Sequence, residues 1–273
     1  MKKWFLILLV SAVVTTVQSQ TYKEYVRQAL AAMSVDSTEE AEKMFREAMR
    51  IEPASRSNAM IYYQIGRIQE RRNKLEKALE SYTMGLNISA HVLPLRIARA
   101  SLYMRLGNYD KALNDYSDVL DWKTDEQEAL FMRAYIYTEK RLYKKARADY
   151  EALIKLNPNH EEARIGLVLL NEKDNRPREA MEQINVMIAT TPNHAVLYAI
   201  RAGLEQTRKL YEAAEDDFNK AISLDPANTD YLLNRASLYI ETKRNKEART
   251  DLDKALELGA NPDDIASMRY LMK

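Results

Sequence analysis

The chain has 273 residues, of which 46% are hydrophobic and 30% are charged, so it can bury a sizeable core and is not a disordered segment. Its 41 Lys and Arg residues balance 40 Asp and Glu residues and alternate with them, which excludes the basic surface of a nucleic-acid-binding protein. The absence of cysteine excludes disulfides, zinc ribbons, iron-sulfur sites and thiol nucleophiles. With only 6 Gly and 7 Pro among many Ala, Leu, Glu, Lys and Arg, the composition predicts an all-α protein.

The first twenty residues have the pattern of an export signal. Lys2 and Lys3 give a positive start, residues 4–14 are apolar, and Val17-Gln18-Ser19 places small residues where a signal peptidase reads. We expect a signal peptide over 1–19, cut after Ser19, and an exported chain that is periplasmic or secreted. The apolar stretch of about 14 residues is shorter than a spanning helix, so stable membrane insertion is not expected after cleavage and a retained anchor is the alternative. No cysteine follows this stretch, which excludes a lipoprotein anchor.

Small residues recur with a constant period along the rest of the chain. The spacing is 34 residues from Ala78 onward, and Ala41 leads the series 37 residues earlier. The series is Ala41, Ala78, Ala112, Ala146, Ala180, Ala214 and Ala248. Four residues beyond its members stand Phe45, Tyr82, Tyr116, Tyr150, Ile184, Phe218 and Leu252. Twelve residues before them stand Ala29, Gly66, Ala100, Ala134, Val168, Ala202 and Ala236. These spacings predict a small and a large residue on one helical face, and two helices per repeat that approach closely.

Each repeat is therefore predicted to be a helix pair with a turn between its helices. The turn is clearest at Gly107, because glycine can adopt the left-handed conformation that ends a helix. Proline ends the second helix in four repeats, since it stops one helix and suits the start of the next. These prolines are Pro53, Pro158, Pro192 and Pro226.

The repeats resemble the tetratricopeptide repeat, and the resemblance covers nearly all of the chain after the signal peptide. The best unit is 195–228, with Tyr198, Ala202, Tyr211 and Ala214 among the residues at the family's signature places. Seven units are predicted, at 22–55, 59–92, 93–126, 127–160, 161–194, 195–228 and 229–262. The resemblance implies an α-solenoid in which helix pairs stack into a right-handed superhelix, ended by a capping helix over 263–273.

The unit at 161–194 departs most from the pattern. Val168, Asn171 and Pro177 stand where a small residue and aromatic residues are usual. We expect a bend or hinge here, which hydrogen exchange tests by comparing the protection of this unit with that of its neighbours.

The resemblance also implies that the first helix of each unit lines a concave groove and that function lies there. The predicted groove residues are Tyr63, Arg67, Ile97, Ser101, Met104, Phe131, Tyr135 and Thr138. The stack does not need the aromatic members for its own packing, and arginines rim them. The rim consists of Arg67, Arg71 and Arg105. Because aromatic and arginine anchors dominate binding energy, we expect an extended or helical partner segment with some acidic character. Packing of these side chains on one another in a tight superhelix is the alternative.

A second arginine series precedes the small residue of the first helix in four units, and aspartates follow it at a separation of 16 residues. The pairs are Arg99 with Asp115, Arg133 with Asp149, Arg201 with Asp217 and Arg235 with Asp251. The matched periods favour structural ion pairs over a basic ladder for an acidic partner.

Catalytic chemistry has little support in the sequence. The three histidines, His91, His160 and His194, fall in turns between units and so cannot converge on a metal ion. The chain has no glycine-rich phosphate loop, nucleophile elbow or HExxH motif. We predict no catalytic residues, no metal and no cofactor, and a noncatalytic scaffold that binds a partner protein or peptide after export. A self-associating or spacer solenoid without a dedicated client is the alternative.

Overall fold

A computed structural model describes residues 21–272, and the signal peptide predicted at 1–19 lies outside these residues. Within residues 21–272 the chain forms fifteen α-helices and no strand, as the composition predicts. The helices are α1 (21–34), α2 (Thr38–Ile51), α3 (Asn58–Arg71), α4 (Leu75–Ile88), α5 (Leu93–Arg105), α6 (Tyr109–Trp122), α7 (Gln127–Glu139), α8 (Tyr143–Leu156), α9 (Glu161–Lys173), α10 (Pro177–Thr190), α11 (Ala195–Thr207), α12 (Tyr211–Leu224), α13 (Thr229–Glu241), α14 (Asn245–Glu257) and α15 (Pro262–Tyr270). None of them has both the length and the apolar character needed to cross a membrane.

The helices divide into two compact units, Met1–Ile136 and Tyr137–Lys273, with the boundary inside α7. In the first unit α3 packs on α4, α4 on α5, and α5 on α6. In the second unit α9 packs on α10, α11 on α12, and α13 on α14. Helices that follow one another in the chain are therefore neighbours in space, as expected for an α-solenoid built from helix pairs.

One residue in the left-handed conformation closes the turn inside each helix pair. Gly107 has a φ of 72°, as predicted. The other pairs use residues with a side chain, namely Asp36, Asn73, Arg141, Asn175, Lys209 and Lys243. The next amide then donates to a carbonyl five residues earlier, as from Asn108 N to Tyr103 O at 2.8 Å. Left-handed backbone costs a residue with a β-carbon roughly 1–2 kcal/mol, so packing of the two helices imposes this turn even on lysine and arginine.

The core of each pair forms where a small residue of the first helix faces a large residue of the second. A β-carbon added to Gly66 would lie 2.3 Å from Cε1 of Tyr82, which shows how closely they approach. The unit at 161–194 redistributes the volume, because Val168 and Ile184 are both fully buried in one cluster. A larger first residue and a smaller second residue change the total volume little, so the pair still packs.

The same unit has a polar group inside its core. Asn171 is fully buried, and its Nδ2 donates to Gln183 Oε1 at 2.9 Å. Its Oδ1 has no hydrogen-bond partner within residues 21–272, and an unmet buried acceptor costs roughly 1–3 kcal/mol. Pro177 is the first residue of α10, a position that suits proline. The hinge expected at this unit stays a prediction.

Buried ion pairs join the two helices in three of the repeats. They are Arg99 with Asp115, Arg201 with Asp217 and Arg235 with Asp251. Each uses two bonds, as in the last pair, where Arg235 Nε donates to Asp251 Oδ2 at 2.8 Å and Nη2 donates to Oδ1 at 2.6 Å. The structural pairing predicted from the matched periods is confirmed for these three. The pairing of Arg133 with Asp149 stays a prediction.

The last helix, α15, packs on α14 and covers its apolar face. Ile265 is buried there, and Met268 and Met272 are partly buried against the same cluster. The N-cap is Asn261, whose side chain accepts a hydrogen bond from the backbone N of Asp263 at 3.0 Å. An asparagine before the helix, and not one of the aspartates in its first turn, therefore caps this element.

Candidate functional site

Four of the predicted groove residues meet in one cavity of the first unit. Tyr63 and Arg67 come from α3, and Ile97 and Ser101 come from α5. The cavity has a volume of about 440 Å³ and also receives residues from α4 and from the start of α7. Residues four apart share one face of a helix, so the repeat register places both pairs on the surfaces that line the cavity.

Aromatic rings and a guanidinium group form one wall of this cavity. The rings of Tyr63 and Tyr82 have centroids 6.3 Å apart and are tilted by 34°. The guanidinium of Arg67 lies over the Tyr63 ring, 5.7 Å from its centroid. Such a contact holds a cation in place while leaving its N–H groups able to donate, so this wall offers a positioned donor beside an aromatic surface.

Glu70 lines the cavity next to this wall and is held by two neighbours. Arg105 Nη1 donates to its Oε2 at 2.6 Å, and the Tyr82 hydroxyl donates to its Oε1. Burial, and then the bond to Glu70, raises the pKa of Tyr82 far above its usual value, so the hydroxyl stays protonated and remains a donor. Arg105, predicted to lie on the rim, is therefore engaged inside the protein.

The charges around the cavity are mixed. Arg67 forms no ion pair with any residue in 21–272. Two glutamates line the cavity near the start of α7: Glu126 pairs with Lys123, and Glu128 is half-buried. Burial, and then the charge of Glu126, raises the pKa of Glu128. The partner segment of acidic character expected from the sequence therefore suits only the side of the cavity near Arg67.

The other predicted groove residues do not share this cavity. Met104, Phe131 and Tyr135 lie outside its lining, although Tyr135 is 40% exposed. Thr138 belongs to the second unit and is only 7% exposed, so it does not present the open surface expected of a groove residue. Its place in the repeat register predicts a face of the helix, but burial by neighbouring elements decides how much of that face stays open.

Sequence reasoning missed five residues of the lining. They are Leu93, Pro94, Ala98, Glu126 and Glu128. Leu93, Pro94 and Ala98 belong to α5, and Glu126 and Glu128 stand at the start of α7. The predicted residues share three positions of each first helix, whereas the cavity also uses the beginnings of helices in the following units. A search at the first positions of each unit would have found the α5 residues.

The histidines have local structural roles. His160 is the N-cap of α9, and His194 Nδ1 lies 3.0 Å from Glu161 Oε1. The rings of His91 and Trp122 meet edge to face with centroids 5.7 Å apart. Within residues 21–272 no group of three or more potential ligands is arranged to hold a metal ion.

The comparison with protein families decides the relationship of the chain. One tetratricopeptide-repeat model matches residues 97–160 and 204–265, and a second matches residues 137–204. Together they cover the chain from 97 to 265, more than half of its length. The chain belongs to the tetratricopeptide-repeat family.

Solved structures share the tetratricopeptide-repeat fold of this protein. A tetratricopeptide repeat protein from Parabacteroides merdae ATCC 43184 is 29% identical, with a TM-score of 0.80 over 93% of this chain and 99% of that one. Yeast Tom70 matches with a TM-score of 0.63 at 16% identity, covering 92% of this chain and 56% of its own. Cut9 in the APC/C hetero-tetramer Cut9-Hcn1 matches with a TM-score of 0.61 at 14% identity, covering 97% and 55%. Among curated proteins, none matches this chain.

Proposed function

We propose that this protein is a noncatalytic interaction scaffold that binds a segment of a partner protein in the cavity of the first unit. Tetratricopeptide-repeat proteins are generally modules for protein–protein interaction, which supports the general class. The observation that carries the site is Arg67, stacked on Tyr63 in a cavity and without an ion pair in residues 21–272. A positioned arginine beside an aromatic ring is the arrangement that dominates binding energy in protein interfaces.

The chemistry of the cavity specifies the partner segment. An apolar side chain fits against Leu93, Ile97 and Ala98, which lie on one side of α5. A carboxylate or backbone carbonyl on the segment accepts hydrogen bonds from Arg67. A lysine or arginine on the same segment meets Glu128. The segment is therefore apolar at its centre with one acidic and one basic neighbour, and not uniformly acidic.

Binding depends on the preformed wall more than on the area that is buried. Tyr63 is already held between Arg67 and Tyr82, so little side-chain freedom is lost when a partner arrives. Truncation of such an anchor typically costs about 2 kcal/mol, which is roughly a thirtyfold weaker dissociation constant.

Selection of a displayed random peptide library on the protein provides a ligand for the test. The selected peptide is then titrated into the wild type, the Tyr63→Ala/Arg67→Leu variant and an Arg71→Leu control by calorimetry. Arg71 is a matched control because it lies on α3 outside the cavity lining, 3.6 Å from Asp36. We expect roughly thirtyfold weaker binding for the double variant and unchanged binding for the control. Equal affinities for all three proteins would sink the assignment of this cavity.

We also propose that the scaffold acts after export, in the periplasm or outside the cell. This proposal rests on the charged start and apolar stretch of residues 1–19. Expression of the full chain in a bacterial host, followed by fractionation and N-terminal sequencing, tests it. A mature chain that begins at Gln20 is expected outside the cytoplasm, whereas an intact Met1 in the cytoplasmic fraction contradicts export.

A self-associating solenoid is the second candidate, favoured by the exposed apolar surface at the end of α15. Tyr270 is 69% exposed and Leu271 is 70% exposed, beside the partly buried Met268 and Met272. Light scattering over a range of concentrations distinguishes the candidates. An oligomer that grows with concentration and is lost in a Met268→Ser/Met272→Ser variant favours self-association, and a monomer at every concentration excludes it.

A further inference from the structure

A second cavity lies in the second unit, between α8, α9 and α10. Its volume is about 440 Å³. Ile154, Leu167 and Met187 give it apolar walls, and Val186, which is 52% exposed, extends them toward solvent. None of these residues takes part in the cavity of the first unit, so this is a separate surface.

The repeat itself indicates why the space is open. Leu167 stands at the position where other units have the arginine of their buried ion pair, and Gln183 stands at the position of the aspartate. In the following unit, Arg201 bonds to Asp217 and its Nη1 also donates to Asn185 Oδ1 of the preceding helix at 2.8 Å. A guanidinium thus joins three helices there. Leucine is shorter and has no cation, so the corresponding space at 161–194 is a cavity.

Charges at the cavity favour a cationic occupant. Glu179 and Glu182 line it, are exposed, and form no ion pair with any residue in 21–272. Arg164 is the cation of the lining, so two carboxylates against one guanidinium leave a net charge of −1. The Gln183 oxygen already accepts a bond from Asn171 and retains a second lone pair.

We propose that this cavity binds an arginine side chain of a partner protein, which takes the place of the arginine that this repeat lacks. The alkyl stem of that arginine lies against Leu167, Ile154 and Met187. Its guanidinium meets the carboxylates of Glu179 and Glu182. The other repeats show the same kind of side chain accommodated by the same three-helix arrangement, although there it belongs to the chain itself.

An arginine satisfies both halves of the cavity, and simpler groups do not. A purely apolar side chain would cover the walls and leave both carboxylates without a partner while removing water from them, which is unfavourable. A short cation would meet the carboxylates but leave the apolar walls exposed. Arginine has an apolar stem of three methylenes and a planar donor group suited to carboxylates, so it matches the full depth of the site.

Methyl NMR provides the test, with the full chain labelled at the methionine ε-methyl groups. Met187 reports on the cavity, and the remaining methionines report on folding. The probes are n-butylguanidinium, which mimics an arginine side chain, and n-butylurea, its neutral isostere. We expect n-butylguanidinium to shift the Met187 methyl saturably, with an apparent dissociation constant about fivefold lower than that of n-butylurea. Equal constants for the two probes, or no shift of Met187, would overturn the proposal.

Two variants make the result specific to the cavity. Glu179→Gln/Glu182→Gln changes only exposed residues and is expected to reduce the constant for n-butylguanidinium to that for n-butylurea. Leu167→Arg/Gln183→Asp gives this repeat the arginine and aspartate of its neighbours, so it fills the cavity from within and abolishes the Met187 shift by both probes. Undiminished binding of n-butylguanidinium to the glutamine variant contradicts the role of the carboxylates. That variant still decides the matter if the filled variant does not fold.

Discussion

The buried ion pair of Arg235 and Asp251 allows a sharp test of what holds a repeat together. The side chain of Asp251 is 5% exposed and accepts both of its bonds from one guanidinium. Replacement of Arg235 by leucine leaves this carboxylate buried without its partner, which costs about 3–5 kcal/mol. Replacement of both residues, as Arg235→Leu/Asp251→Gln, removes the buried charge along with its partner and costs little. The chain already uses this combination at Leu167 and Gln183.

Hydrogen exchange measures the effect where it arises, because a solenoid gains and loses stability repeat by repeat. For Arg235→Leu we expect the opening equilibrium of α13 and α14 to rise by at least about 150-fold, which corresponds to 3 kcal/mol. The double variant should recover most of the lost protection. Amides of α3 and α4 serve as the internal control and should not change. Equal loss of protection in the single and double variants would refute the reasoning, since it would mean that an isolated Asp251 carries no penalty.

Two further predictions use other differences among the repeats. Gly66→Ala is expected to destabilise the chain by about 1 kcal/mol or more, because overpacking against the buried Tyr82 outweighs the gain in helix propensity. Gly203→Ala, which meets nothing within 4 Å, should stabilise it by about 1 kcal/mol, and urea denaturation compares the two; the same sign for both would contradict the packing argument. Burial, and then the charge of Asp217, raises the pKa of Glu205 to about 7, so the folded chain binds more protons than the unfolded chain and loses stability as the pH rises from about 4.5 to 7. Glu205→Gln should remove this dependence and be the more stable protein at pH 8 by about 2 kcal/mol, whereas urea midpoints that keep the same slope between pH 5 and pH 8 in both proteins would contradict it.

Much of the fold could be predicted from the sequence because the evidence for it is local. A period of 34 residues with fixed spacings of 4 and 12 requires helix pairs, and two small positions require close packing. The matched arginine and aspartate series predicted three ion pairs that the structure contains, since both partners recur with the same period. The departure at Val168 was also visible, although its compensation by Ile184 is a property of the packed core.

The candidate site could be predicted only in part. The register placed Tyr63, Arg67, Ile97 and Ser101 on the faces that line the cavity, because these positions follow from helical geometry alone. It gave no account of Glu128, which reaches the cavity from the start of α7, or of the burial of Thr138. Contacts between helices that are far apart in the chain depend on how the helices pack, and periodicity does not contain that information.

By itself the sequence determined the helix pairs, their number of residues and their buried faces, since each follows from spacing within one or two helices. The tertiary structure decided which of the exposed faces converge on a cavity and which charges remain unpaired there. It also decided that Lys209 adopts a left-handed turn and that Arg105 is bound to Glu70. Such outcomes depend on the balance between packing of two helices and the local preference of a residue, and that balance is settled only once the helices are in contact.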